Sequence, residues 1–240
     1  YMKIILLRDK LVAGVAAIER SVGSAGSLPI LKNALVATGD SSITLTATNL
    51  ELASQATVTS KVVESGSLAV PLGIMSAVVK NLSADRVTLE QRGTTLAVVT
   101  DNYEASIQGT DAREFPLIPK IQAPLAVVQC PVPVFVGALG SVVGAAQYSE
   151  IRPEISGVFF SLGEGKIVLV ATDSFRLAER RIAGDTFTAS VESVSFIIPL
   201  RTAEEILRVF VEGEEKLSVT VDQGQVVFET ETRKITSRVV

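Results

Sequence analysis

The chain has 240 residues, enough for one or two domains, and 47% of them are hydrophobic, so a sizeable core can form. Its formal net charge of −4 argues against a generic nucleic-acid-binding surface but leaves room for a local basic stripe. The absence of histidine excludes a Ser-His-Asp triad and the commonest metal ligand, and the single cysteine, Cys130, excludes an internal disulfide and a cysteine-cluster zinc site.

Short strands separated by turn residues, with four helices between them, are predicted along the whole chain. The strand segments are rich in Val, Ile and Thr and are bounded by Gly, Asp, Asn or Ser. In the first half they cover 2–7, 34–38, 42–48, 52–63, 67–70, 86–91, 95–100 and 103–108. In the second half they are LAVVQC, GVFFSL, KIVLVAT, RLAERRI, VSFIIP, KLSVTV, QVVFET and KITSRVV. The helices are predicted at 9–21, 72–82, 134–147 and 201–211.

The two halves of the chain repeat one unit. ITLTAT at 43–48 aligns with IVLVAT at 167–172, and AVPLGIMSAVVKNL at 69–82 aligns with IIPLRTAEEILRVF at 197–210. The second match places Lys80 opposite Arg208. A common order of matching segments indicates two domains of one fold.

The fold class predicted from this repeat is α+β, with a helix pair backed by antiparallel sheet in each domain. The boundary is expected in GTDAREFPLIPKIQAP at 109–124, where three prolines and several charges interrupt the strand pattern. We therefore predict domains at 1–120 and 121–240.

Helical-wheel positions predict a core side and an outward side for each helix. The predicted core positions are Leu11, Val15, Ile18, Ile74, Met75, Val78, Val79, Leu82, Phe135, Leu139, Val142, Val143, Ala146, Ala203, Ile206, Leu207 and Phe210. Ala13 and Ala17 are predicted on the outward side of the first helix. The outward basic residues, called the helix-face cations below, are Lys10, Arg20, Lys80, Arg201 and Arg208. They are consistent either with ordinary solvated faces or with a surface that follows a phosphate backbone without reading bases.

Other features predict little chemistry. The uncharged stretch 121–149 is divided by Pro131 and Pro133 into pieces too short to cross a membrane, so no membrane association is expected. The Gly/Ser-rich segment 21–29 lacks a phosphate-loop pattern and is interpreted as a connector, and EGEE at 212–215 as an acidic turn. No metal and no cofactor is expected. The single thiol fits a reducing compartment, and we expect a cytoplasmic protein.

Several motifs together resemble one known family. LPILKNALV (28–36), REFPLIP (113–119), RPEISGVFF (152–160), ATDSFRLA (171–178) and IIPLRTAEEI (197–206) occur in the order found in the bacterial DNA polymerase III beta subunit, the replication sliding clamp. The resemblance covers essentially the whole chain. It implies a DNA clamp fold in which this chain contains the first two of three domains, so the natural chain is expected to continue past Val240.

The resemblance also implies a function and its residues. Family members pair head to tail in a ring around duplex DNA, without sequence specificity, and they have no catalytic residues. By resemblance, the helix-face cations would contact DNA, and an edge strand around Ala105 and Ile107 would join the subunits. The polymerase, the clamp loader and other proteins with a clamp-binding motif would bind an apolar cleft. Its positions here are Ile155, Thr172, Ser174, Phe175, Arg176 and Leu177. The fainter copy TATNLELA at 46–53 is expected to be structural.

Two other functions remain possible from the residues alone. A two-domain trimeric clamp of the proliferating-cell-nuclear-antigen type also contains six repeated units per ring, although the residues of the motifs quoted above favour the bacterial family. A hydrolase or transferase on a mixed α/β scaffold is disfavoured by the missing histidine, the single cysteine and the lack of a phosphate loop.

Overall fold

The computed structural model describes residues 1–23, 28–149, 151–210 and 216–240. The chain divides into two compact units, Tyr1–Ile118 and Pro119–Val240, called unit 1 and unit 2 below. Residues 24–27, 150 and 211–215 lie outside the described residues. They include the middle of the predicted connector, the predicted acidic turn at 212–215 and the last residue of the predicted fourth helix.

Unit 1 contains two antiparallel sheets and two helices among its described residues. Its helices are α1 (Arg8–Ile18) and α2 (Leu72–Lys80). Its strands are β1 (Lys3–Leu7), β2 (Asn33–Thr38), β3 (Ser42–Thr48), β4 (Leu52–Thr59), β5 (Lys61–Glu64), β6 (Ser67–Pro71), β7 (Arg86–Arg92), β8 (Thr95–Val99) and β9 (Glu104–Gln108). One sheet has the order β5-β1-β7-β8-β9, and β4-β3-β2-β6 are neighbours in the second.

Unit 2 repeats this arrangement element by element. Its helices are α3 (Val132–Val143) and α4 (Leu200–Val209). Its strands are β10 (Ala126–Pro131), β11 (Gly157–Gly163), β12 (Lys166–Thr172), β13 (Leu177–Ala183), β14 (Thr188–Ala189), β15 (Val194–Pro199), β16 (Lys216–Val221), β17 (Gln225–Glu229) and β18 (Arg233–Arg238). The strand orders β14-β10-β16-β17-β18 and β13-β12-β11-β15 correspond one for one to those of unit 1. The predicted α+β fold of two tandem copies is confirmed.

Each of the four helices begins where a strand ends. The residue before each helix is Leu7, Pro71, Pro131 or Pro199, which is also the last residue of the preceding strand. Proline has no N–H to donate and its fixed φ suits the start of a helix, which explains its use at three of these junctions. The strand therefore sets the direction in which each helix leaves the sheet.

The core of unit 2 is built around phenylalanine. Phe135 on α3 is fully buried, with ring centroids 6.3 Å from Phe160 and 5.7 Å from Phe228. Phe160 also stacks on Phe196 at 4.7 Å. Cys130 is buried beside this helix, and burial raises the pKa of its thiol to about 11. The thiol therefore packs as a small apolar group and is not activated as a nucleophile.

Three details of unit 1 differ from the sequence prediction. The single strand predicted at 52–63 is wrong: the chain leaves the β3 sheet at Ser60 and continues as β5, which pairs with β1. Ala17 is buried, because its neighbour one turn away, Gly14, allows α1 to lie close against Val58 of β4. The sheet therefore buries a wider face of α1 than the helical-wheel positions of its large apolar residues predict.

The third difference concerns α2. Ile74 was predicted in the core but is exposed, and the polar Ser76 is buried on the opposite side of the helix. Ser76 can lie in the core because its hydroxyl donates a 2.7 Å hydrogen bond to Glu19. Met75, Val79 and Leu82 are buried as predicted, so hydrophobicity placed most of this face correctly and only Ile74 wrongly.

None of the helices in the described part of the chain has both the length and the apolar character needed to cross a membrane.

Candidate functional site

The turn between β12 and β13 is held by two side chains. The Thr172 hydroxyl donates to the carbonyl of Arg176 at 2.7 Å and accepts from the backbone N–H of Ser174 at 3.1 Å. Asp173 Oδ1 accepts from the backbone N–H groups of Phe175 and Arg176, both at 2.9 Å. The side chains of residues 172 and 173 thus close the turn, which leaves the next side chains free to project from it.

The turn between β3 and β4 in unit 1 has the same geometry. The Thr48 hydroxyl donates to the carbonyl of Leu52 and accepts from Leu50 N–H, while Asn49 Oδ1 accepts from the N–H groups of Glu51 and Leu52. The third residue of each turn has a left-handed backbone, with φ 78° at Leu50 and 77° at Ser174. The fainter copy TATNLELA thus forms the same turn as ATDSFRLA.

Asp173 also carries charge. Its pKa is lowered, first by the backbone N–H of Arg176, then by that of Phe175, with a smaller contribution from the Arg176 guanidinium, whose Nε lies 3.0 Å from Oδ2. Because the folded pKa lies below the ordinary value, the carboxylate stabilises the turn fully above that ordinary value. This stabilisation is lost as the pH falls through the lowered folded pKa.

Substitutions of Asp173 should distinguish how much its hydrogen-bond-accepting oxygen and its negative charge each contribute to stability. Asp173→Ala removes both backbone hydrogen bonds and should lower the melting temperature by about 2–5 °C. Asp173→Asn keeps an amide oxygen in the position that Asn49 uses in unit 1, so its melting temperature at pH 7 should stay close to that of the unmodified chain. Thermal melts between pH 2 and pH 7 test this, and equal losses from both substitutions would show that the turn does not depend on the acceptor.

The turn exposes an apolar surface. Phe175 is 97% exposed and Leu177 is 66% exposed, whereas Thr172 is half-buried. The Arg176 guanidinium is paired with Asp173, and the Arg176 side chain is 66% exposed, so its charge stays in contact with water. An exposed phenylalanine followed by an exposed leucine is typical of a surface that binds a partner.

A second segment reaches this turn. Arg152 Nη1 donates to the Ser174 hydroxyl at 3.4 Å and thereby connects the segment around residue 152 to the turn. This segment contributes two largely exposed apolar side chains, Tyr148 and Ile151, and the half-buried Ile155 in a 3-10 helix at Pro153–Ile155. The sequence prediction included Ile155 but missed Tyr148, Ile151 and Arg152; the motif RPEI, which directly follows Ile151, was the available signal.

The helix-face cations fall into two groups, those that are paired with a carboxylate and those that are exposed. Lys80 Nζ lies 2.9 Å from Glu19 Oε2, and Arg208 forms a two-pronged ion pair with the buried Glu205. The remaining three cations, Lys10, Arg20 and Arg201, are exposed, with no carboxylate of the described residues within ion-pair distance. Lys10, Arg20, Lys80 and Arg201 are exposed, whereas the Arg208 side chain is only 25% exposed; two of the five predicted cations, Lys80 and Arg208, are ion-paired.

A further cation near this face was missed. Arg8, at the start of α1, donates from Nη2 to the carbonyl of Lys80 at 3.1 Å, at the C-terminus of α2. A guanidinium at this position satisfies a terminal carbonyl and complements the helix dipole. Its role is therefore to join the two helices of unit 1.

The predicted subunit edge lies on β9, the last strand of its sheet. Ala105 is half-buried, and Ile107 is only 2% exposed because its side chain belongs to the core of unit 1. Contacts of this edge with another chain would therefore use the backbone of β9 and outward side chains such as Glu104, which pairs with Arg92 at 2.6 Å.

Comparison with curated proteins finds beta sliding clamps. The chain is 24% identical to the Bacillus subtilis beta sliding clamp over 100% of its own length and 65% of the relative's. It is 28% identical to the beta sliding clamp of Synechococcus elongatus, with 99% of this chain and 64% of the relative covered. The chain thus spans about 65% of the length of these relatives.

Solved structures show the same fold. The Bacillus subtilis clamp matches with a TM-score of 0.91 at 23% identity, and the Thermotoga maritima beta subunit with 0.89 at 24%. The Bartonella birtlesii clamp, solved with griselimycin bound, matches with 0.90 at 21%. Each match covers 100% of this chain and 65% of the solved chain.

Family models account for nearly the whole sequence. Residues 2–119 match the N-terminal domain of the DNA polymerase III beta subunit, and residues 129–240 match its central domain. These matches agree with the repeated fold and favour the bacterial family over a trimeric clamp of the proliferating-cell-nuclear-antigen type. The chain therefore belongs to the bacterial DNA polymerase III beta subunit family, of which it contains the N-terminal and central domains.

Proposed function

We propose that this chain forms two domains of a replication sliding clamp, a non-catalytic ring that encircles duplex DNA and tethers the replicative polymerase. The family membership supports this activity, because the matched relatives are named beta sliding clamps. In this proposal the protein acts in the cytoplasm, and full-length chains close the ring head to tail through the edge at β9.

The observation that carries the proposal is the exposed apolar surface at residues 172–177. Phe175 and Leu177 project from a turn whose own side chains hold its backbone, and Arg152 joins a second apolar segment to it. We propose that this surface binds the clamp-binding peptides of the polymerase, the clamp loader and other partners. Backbone order at the turn favours binding, because less conformational entropy is lost when a peptide is held.

Sequence-independent contact with DNA is the second part of the proposal. The exposed cations Lys10, Arg20 and Arg201 can each contact a phosphate without reading a base. A ring retains DNA by topology, so weak contacts are sufficient for sliding. The exposed amine and guanidinium groups on an otherwise acidic chain are consistent with such contacts.

Peptide titration tests the proposed surface. A fluorescein-labelled clamp-binding peptide from a bacterial replicative polymerase should bind the chain, and Phe175→Ala should weaken binding about 5- to 30-fold, because a large apolar contact is lost. Fluorescence anisotropy measures both affinities.

Leu50→Ala is the matched control. Leu50 is also an exposed apolar residue, at the equivalent turn of unit 1, and its substitution should leave peptide affinity unchanged. The proposal is rejected if Phe175→Ala binds the peptide as tightly as the unmodified chain, or if Leu50→Ala weakens binding to the same extent.

A further inference from the structure

The aligned basic positions of the two repeats are both paired with a carboxylate. Lys80 and Arg208 each lie in the last turn of the second helix of their unit. Lys80 is paired with Glu19, and Arg208 with Glu205. The basic position that the two repeats share is therefore ion-paired in both copies.

The two carboxylates come from different places in the repeat. Glu19 lies in a 3-10 helix after α1, and the corresponding place in unit 2 is the end of α3, where the last residue is the apolar Val143. Glu205 lies within α4, and when Leu72 and Leu200 are aligned as first helical residues, the apolar Ala77 stands opposite it. The repeats therefore reach the same pairing with non-equivalent residues, which simple duplication of one ion pair does not explain.

Each carboxylate is held in position by its surroundings. Glu19 Oε1 accepts from the buried Ser76 hydroxyl at 2.7 Å and from Lys80 Nζ at 2.9 Å. The Glu205 side chain is only 6% exposed, and Arg208 Nε donates to its Oε2 at 3.0 Å. A carboxylate fixed in this way competes with an incoming phosphate more effectively than a mobile surface acid, because its charge is already positioned on the cation.

We propose that Glu19 and Glu205 are built-in counter-ions that compensate Lys80 and Arg208 and thereby limit the affinity of this clamp for duplex DNA. This inference rests on the proposed function and concerns the strength of the same DNA contact. Three of the five helix-face cations then remain to contact phosphates directly. The slope of the logarithm of the duplex binding constant against the logarithm of the salt concentration should therefore be about −3, less steep than for five cations.

Neutralising one counter-ion tests the proposal. Glu19→Gln keeps an oxygen for Ser76 but removes the charge that faces Lys80. Binding to a labelled duplex of mixed sequence, measured by anisotropy over a KCl series, should tighten about 5-fold at low salt, and the slope should steepen by about 0.9, the value for one further phosphate contact. A thermal melt of Glu19→Gln shows that the variant is folded.

Two controls separate pairing from net charge. Glu51→Gln changes the net charge equally, but Glu51 is exposed in a turn and no cation of the described residues is within ion-pair distance. It should leave binding unchanged. Adding Lys80→Gln to Glu19→Gln should abolish the gain, because the freed cation is then absent.

The outcomes distinguish this inference from the proposed function. If the unmodified chain binds duplex but Glu19→Gln has no effect, or Glu51→Gln has an equal effect, the counter-ion inference is wrong and the clamp proposal stands. If neither the unmodified chain nor any variant binds duplex at low salt, the proposed DNA contact itself is rejected, and the inference with it.

Discussion

Replacing Phe135 by alanine should lower the free energy of unfolding of unit 2 by about 3–5 kcal/mol. The ring is 1% exposed and contacts two other buried phenylalanine rings, Phe160 and Phe228. Its removal leaves a cavity that helix α3, which is connected directly to β10, cannot easily close. Urea denaturation followed by circular dichroism measures the loss.

Phe175→Ala supplies the matched control for this stability effect. The same side chain is removed, but Phe175 is 97% exposed and packs against little in the folded chain. The unfolding free energy should change by less than about 0.5 kcal/mol, the usual range for surface substitutions. Equal losses in both variants would show that Phe175 belongs to the core, which would also reject its assignment to partner binding.

Gly157→Ala should destabilise unit 2 by about 3 kcal/mol or more, because the added methyl group collides with a neighbouring strand. A Cβ at this position would lie 2.2 Å from the carbonyl oxygen of Ile198 and 2.9 Å from Cγ2 of Ile197, and the first contact is with backbone that cannot rotate away. Since Gly157 directly follows the segment containing Ile155, the distortion should also weaken peptide binding at the turn.

Gly163→Ala lies in the same strand and serves as the control. A Cβ there meets no atom within 4 Å, so the melting temperature and the peptide affinity should both be retained. Thermal melts and peptide titrations of the two variants test the pair. A Gly157→Ala variant as stable as Gly163→Ala would contradict the close strand approach at Ile198.

Most of the fold could be predicted because its signals are local. Alternating Val, Ile and Thr with Gly, Asp and Asn turns marks strands of period two, and the repeat places each element of unit 2 opposite its counterpart in unit 1. The break at Ser60 could not be predicted in this way. Strand-forming residues continue on both sides of it, and only the pairing of β4 and β5 with different sheets separates them.

The site was predicted less completely, because its interactions join distant parts of the sequence. Glu19 and Lys80 are separated by 61 positions, so no local pattern indicates that they pair. The positive φ of Ser174 was also not predicted, since serine gives no left-handed signal of the kind that glycine gives. The threonine followed by Asn49 or Asp173 in both copies was the usable signal, because these side chains can hold the turn.

The direct passage from strand to helix, described at Leu7, Pro71, Pro131 and Pro199, has a mechanical consequence. A helix that leaves a sheet without an intervening loop is connected to its strand through a single junction residue, so few φ and ψ angles can change its direction or its rotation about its own axis. The junction therefore limits which side of the helix can face the sheet, and packing against the sheet selects that side. The outward side of such a helix can therefore differ in charge from one repeat to the other: α1 exposes Lys10, whereas α3 exposes Gly137, Gly140 and Ser141.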